Sequence, residues 1–169
     1  MKIYQSTRSE AEMVGAAEAI YQGIAPDGGL YTPVDFDDKQ LLPEEVLGLP
    51  AAKIAAESMY RLLGDFTREE IFRLTEAGYA GKFAARDLTP LVRVGDDYVL
   101  ELFHGPTSAF KDVALSLLPR LITAARDKLG RDEEIVILTA TSGDTGKADR
   151  KSTRLNSSHT DSSRMPSSA

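Results

Sequence analysis

Glu134-Ile-Val-Ile-Leu-Thr-Ala-Thr-Ser-Gly-Asp-Thr-Gly-Lys-Ala148 is the stretch on which the fold turns. Its first six residues, EIVILT, form a short apolar run of the kind that builds a strand buried on both faces of a parallel sheet. Small hydroxylated residues and glycines follow at 140–146, and the pattern then turns towards a helix. A strand that ends in such a loop and opens a helix aims several backbone N–H groups at one point, a geometry that binds a carboxylate or phosphate. Lys147 invites comparison with the phosphate-binding pattern G-x-x-x-x-G-K-[ST]. Aligned on Gly146-Lys147, that pattern demands Gly at 141 and Ser or Thr at 148, where the chain has Thr141 and Ala148. A nucleotide-dependent phosphotransferase is disfavoured on those two misses. On the residues alone, a plain glycine turn and a non-catalytic α/β module holding an anion both stay open.

Outward from this stretch, the chain reads as helices first and strands afterwards. Ser9 with Glu12 has capping-box spacing, followed by Met13, Val14, Ala17, Ile20 and Tyr21 at helical intervals and Gly23 as a stop. Ala25-Pro26-Asp27-Gly28-Gly29 is a turn. Helices are predicted over about Ala51 to Leu63 and from Thr67, with Glu70 as box partner, to near Gly78. Leu91–Val94 and Tyr98–Leu102 flank Gly95-Asp96-Asp97 as a hairpin. A long helix is expected from about Ser108 to Leu129, kinked by Pro119. Helix, strand, then glycine-containing loop is the order of an α/β domain.

The segment Glu101-Leu-Phe-His-Gly-Pro-Thr-Ser-Ala-Phe-Lys-Asp112 carries a second candidate site. With Thr107 or Ser108 as helix cap, Lys111 falls in the first turn. There the helix dipole disfavours a cation by about 0.3–1 kcal/mol and eases access to the neutral amine that a Schiff-base lysine needs. The commoner state of a lysine is a solvated one, here beside Asp112.

Composition narrows the chemistry further. The chain has 169 residues, 42% apolar and 27% charged, which suits one globular domain rather than a disordered chain. Its formal charge of −6 argues against nucleic-acid binding. No apolar run approaches the roughly 18 residues that span a bilayer, and MKIYQSTRSE lacks the apolar stretch of a signal peptide, so a soluble, cytoplasmic protein is expected. Without cysteine, and with only His104 and His159, neither a thiolate nor a His-rich or Cys-ligated metal site is available. Composition breaks near Asp149: the last 20 residues hold 7 serines and four basic residues against one acidic. Residues 149–169 are therefore expected to be non-native or disordered and to stand outside the fold.

Taken together, ELFHGPTSAFKD, TATSGDTG and the turn GIAPDGGLYTP at Gly23–Pro33 resemble the threonine synthase family, pyridoxal-phosphate enzymes of the tryptophan-synthase-β-like fold. The likeness covers Met1 to Ala148 and about the first third of a family member. It implies an α/β fold with a helical N-terminal region over residues 1–80. The start of a fold-type-II pyridoxal-phosphate domain would follow over 81–148, truncated in this chain. It implies conversion of O-phospho-L-homoserine and water into L-threonine and phosphate. In this likeness Lys111 forms the Schiff base with pyridoxal 5'-phosphate and shuttles protons, while Ser142 and Gly143 grip the substrate carboxylate. Asp144 and Thr145, with Gly146, lie against the cofactor ring, and His104 and Thr107 fall in the substrate segment. Many relatives of this fold carry Asn where Asp144 stands; the SGDTG form is similar to the threonine synthase branch rather than to serine dehydratases or cysteine synthases. The cofactor-phosphate loop and the ring-nitrogen partner would lie further downstream, so the 169-residue chain is expected to be inactive and to expose apolar surface.

Overall fold

A computed structural model describes residues 3–9, 13–35 and 40–136. Its first element, β1 (Ile3–Ser6), is the middle strand of a three-stranded antiparallel sheet, flanked by β2 (Met13–Gly15) and β3 (Tyr31–Pro33). Tyr4 and Ser6 point inward from β1, and the Tyr4 hydroxyl donates to the Leu62 carbonyl at 2.6 Å. Burial, with Asp65 nearby, holds that phenol above its ordinary pKa.

Here the chain departs from the helices-first expectation. Met13 and Val14 belong to β2, paired with Gln5 and Tyr4, and helix α1 begins only at Ala16 and runs to Gln22. Backbone pairing with β1 takes residues that a helical periodicity also accommodates. Ser9 is therefore not the helix cap, and its expected partner Glu12 lies outside the described residues. Gly15 caps α1 without a side chain, and Asp65 takes over from 48 residues away, its Oδ2 accepting the Ala17 N–H at 2.9 Å. A β-carbon on Gly15 would overlap that carboxylate and push it off the helix start. The stop at Gly23 and the turn at 25–29 stand as expected. Gly28 adopts φ +78°, and Asp27 accepts from the Ser6 hydroxyl and the Gly29 N–H, which hold its carboxyl below the usual range.

A short helix α2 (Pro43–Val46) leads into α3 (Ala51–Leu62) and α4 (Arg68–Tyr79), which pack against each other. The start of α4 matches the sequence expectation: Thr67 Oγ1 accepts the Glu70 N–H at 3.1 Å and Glu70 Oε2 accepts the Thr67 N–H at 2.7 Å. Ile71 and Thr75 on this helix are fully enclosed, and the Thr75 hydroxyl returns to the Ile71 and Phe72 carbonyls.

The hairpin is as expected, with β4 (Leu91–Val94) and β5 (Asp97–Leu100) joined through Gly95, at φ +65°. The single long helix is not. It is divided into α5 (Asp112–Leu115) and α6 (Leu118–Lys128). Pro119 sits in the first turn of α6, where its missing N–H has no intrahelical partner to lose, so it starts a helix rather than kinking one. Helix α6 packs on α1, and Ala16, Ala17 and Ala125 of the two helices are buried in the core. The core joins these to Ala56, Leu63, Phe66, Ile71, Tyr79, Leu117 and Leu121, and so draws on residues from both sides of position 80. Of the expected buried strand, Glu134–Val136 are described without strand pairing and Val136 is exposed; the rest lies outside the described residues.

Candidate active site

The segment that leaves β5 is pinned at its start by two backbone bonds. The Glu101 N–H donates to the Pro90 carbonyl, and the Ala84 N–H donates to the His104 carbonyl, both at 2.9 Å. Between these anchors the His104 ring stacks on Phe103, with centroids 4.6 Å apart, and its Nε2 lies 2.6 Å from Glu101 Oε2. His104 is thus held by a carboxylate three residues earlier in its own segment.

From Gly105 the backbone turns sharply. The Ser108 N–H donates to the Gly105 carbonyl, and Ser108 takes φ +59°, a left-handed conformation uncommon for a residue with a β-carbon. Thr107 caps no helix. Its N–H donates to Asp112 Oδ2 at 2.7 Å and its hydroxyl to Asp112 Oδ1 at 2.6 Å. Lys111 follows as the N-cap of α5, in right-handed backbone and half-buried, with its Nζ 5.8 Å from the centroid of the Phe110 ring. The expectation that Thr107 or Ser108 caps a long helix around Lys111 therefore fails. Because α5 has only four residues, its aligned peptide dipoles are too few to bias that amine strongly. What distinguishes Lys111 is a loop, closed by side-chain and backbone hydrogen bonds, that delivers it beside the exposed ring of Phe110.

Of the other residues expected at the site, Ser142, Gly143, Asp144 and Thr145 lie outside the described residues. Sequence reasoning missed two neighbours, Glu101 as the partner of His104 and Asp112 as the acceptor for Thr107. It also missed Lys82, whose Nζ approaches the Ser116 carbonyl at 3.4 Å between α5 and α6. Burial, reinforced by Arg120, lowers the Lys82 pKa. Two open grooves of about 640 and 410 Å³ border α4, and their linings share no residue with the 101–112 segment. Among the described residues no group of His, Asp or Glu is set to hold a metal ion, and no helix is long and apolar enough to cross a membrane.

A family model described as threonine synthase N terminus matches residues 3–79. The threonine synthase of Pseudomonas aeruginosa is 41% identical over 150 residues, covering 86% of this chain and 31% of that protein. The yeast Saccharomyces cerevisiae enzyme is 36% identical over 163 residues, covering 87% and 32%. Over most of its length the chain matches the N-terminal part of threonine synthases. Among solved structures, the pyridoxal-phosphate-bound threonine synthase from Brucella melitensis superposes with a TM-score of 0.79 at 36% identity, over 90% of this chain and 33% of that one. The threonine synthase from yeast gives 0.77 at 32% identity, over 89% and 32%. The mixed α/β fold is thus that of the N-terminal part of threonine synthases, and the chain spans about a third of the length of the relatives it matches.

Proposed function

We propose that this threonine synthase region carries the reactive lysine of a pyridoxal-phosphate enzyme that converts O-phospho-L-homoserine and water into L-threonine and phosphate in the cytoplasm. The observation that carries the reading is the Lys111 loop, built within a fold that superposes on a pyridoxal-phosphate-bound threonine synthase with a TM-score of 0.79. The residues present suit that cofactor: a lysine on a loop fixed by hydrogen bonds, half-buried, with the exposed rings of Phe103 and Phe110 close by in the chain.

When bound, pyridoxal phosphate supplies an electron sink for negative charge developing on the substrate's carbon skeleton. The protein's share is proton movement and grip. Lys111 Nζ serves both as the amine that holds the cofactor's aldehyde carbon and as the base that carries protons between substrate carbons. Ser142 and Gly143 receive the substrate's α-carboxylate through backbone N–H groups of the glycine loop. Asp144 and Thr145 would hold the cofactor, and Thr107 and His104 would serve the substrate. Phosphate departs from the γ-carbon and water adds at the β-carbon.

The deciding experiment takes the chain extended by its natural downstream coding sequence, reduces it with borohydride in the presence of pyridoxal phosphate, and maps the adduct by peptide mass spectrometry. A pyridoxyl group on Lys111 is expected. A label on another lysine moves the site, and no label leaves a non-catalytic anion-binding module as the better reading.

A further inference from the structure

Asp112 has no part in the chemistry above, yet it is only 1% exposed. Both of its oxygens face one residue, Thr107, which donates its backbone N–H and its hydroxyl to the same carboxylate. Such charge-assisted bonds are about twice as strong as neutral ones. The carboxylate also fills the space above Gly105, where a β-carbon would overlap the Asp112 β-carbon and Oδ2. A third observation is independent of the side chain: the turn is closed by Ser108 N–H to Gly105 carbonyl at 3.1 Å and Asp112 N–H to Ala109 carbonyl at 3.0 Å, with Ser108 left-handed.

Helix capping does not account for this arrangement. Asp112 directs its oxygens backwards to the loop, and α5 is a single turn with little helix to stabilise. What the clasp does fix is the residue next to it. Successive side chains at a helix start diverge by about 100°, so anchoring Asp112 against Gly105 and Thr107 orients Lys111 away from the clasp.

We infer that Asp112 is a positioning residue for Lys111: its clasp on Thr107, fitted against Gly105, sets the direction in which the lysine amine is presented. The inference rests on the functional reading of Lys111. It assigns Thr107 a supporting task as well, because the threonine donates to Asp112 from both its backbone and its side chain.

The test uses the extended chain of the preceding section, without substrate, and reads pyridoxyl label on Lys111 against label on Lys53 and Lys128, which sit on α3 and α6. Asp112→Asn is expected to lower the Lys111 label about tenfold or more while leaving the two reference lysines unchanged, the scale expected when a reacting group is misplaced by a fraction of an ångström. Thr107→Val is expected to lower it severalfold, and Thr107→Ser, which keeps the hydroxyl, to restore it to within about twofold. The double variant Asp112→Asn with Thr107→Val should be no worse than Asp112→Asn alone, because the two act through one contact. Faster amide exchange at Thr107 in Asp112→Asn should accompany the loss. A purely structural role would lower the Lys111 label only in proportion to the folded fraction read by circular dichroism, and that result overturns the inference. So does retention of the Lys111 label in both single variants. If Asp112→Asn fails to fold, the Val and Ser variants of Thr107 decide alone. Absence of Lys111 label in the unsubstituted chain instead overturns the functional reading beneath it.

Discussion

In the helical scaffold Ile71, Thr75 and Ala125 are completely enclosed, whereas every residue of β4 and β5 is exposed, the large apolar ones from Val92 at 37% to Tyr98 at 65%. The scaffold has capped helices, a shared core and a sheet braced by Tyr4. The hairpin has its ladder and a two-residue turn, and a lone pair of strands is marginal in water. The candidate chemistry begins directly after the hairpin, in a loop held by Asp112 rather than by core packing. Stability and reactivity are therefore assigned to different stretches of chain, and substitutions should separate them.

The largest separation should come from Ile71→Ala. Removing an enclosed side chain from α4 is expected to cost about 2–5 kcal/mol in urea unfolding, whereas Val99→Ala in the hairpin should cost under about 0.5 kcal/mol. Equal costs would break the comparison. Next in size is Asp65→Ala, which removes the remote cap of α1 and should cost about 1 kcal/mol by the same measurement.

A smaller effect depends on acid. Glu70 is held below the ordinary carboxylate range first by the Thr67 N–H, with Lys128 adding to it. A lowered folded-state pKa contributes stability that is fully present above the unfolded value and is lost as pH falls through the folded one. The Tm of the wild-type chain should thus exceed that of Glu70→Gln near neutrality, and the gap should close on acidification below the ordinary glutamate pKa of 4.5. The smallest stability effect belongs to Tyr98→Lys, expected within about 0.5 kcal/mol of wild type. Its signature is reduced binding of an apolar dye, because it removes part of an uncovered apolar surface.

The contrast also explains what was legible in the sequence. Helices α3 and α4 were readable because their periodicity, caps and stops are all local, and Thr67 with Glu70 bond as their spacing implies. The turn at 25–29 and the hairpin at Gly95 were readable for the same reason. The three strands of the N-terminal sheet were not. Each has only three or four residues, too few for alternation to register, and each depends on a partner distant in the chain. Ser6, buried on the inner face of β1, further masks the pattern. Pro119 was readable as a disturbance but not as a helix start, since that depends on Leu117 packing into the core. At the candidate site, the motif exposed Lys111, Thr107 and His104. Nothing in the run of letters distinguishes an aspartate buried against Gly105 from a solvated one, so Asp112 came only with the fold.

The central place of β1 has a consequence for how the chain is made. Ile3–Ser6 leave the ribosome before either partner strand: one side has no neighbour until Tyr31–Pro33 appear, and Tyr4 must wait for a carbonyl 58 residues later. At roughly 5–20 residues per second, that delay is about 3–12 s of translation during which β1 stays unfastened. Fusion partners or proteases that reach it in that interval act on the keystone of the sheet rather than on a dispensable end.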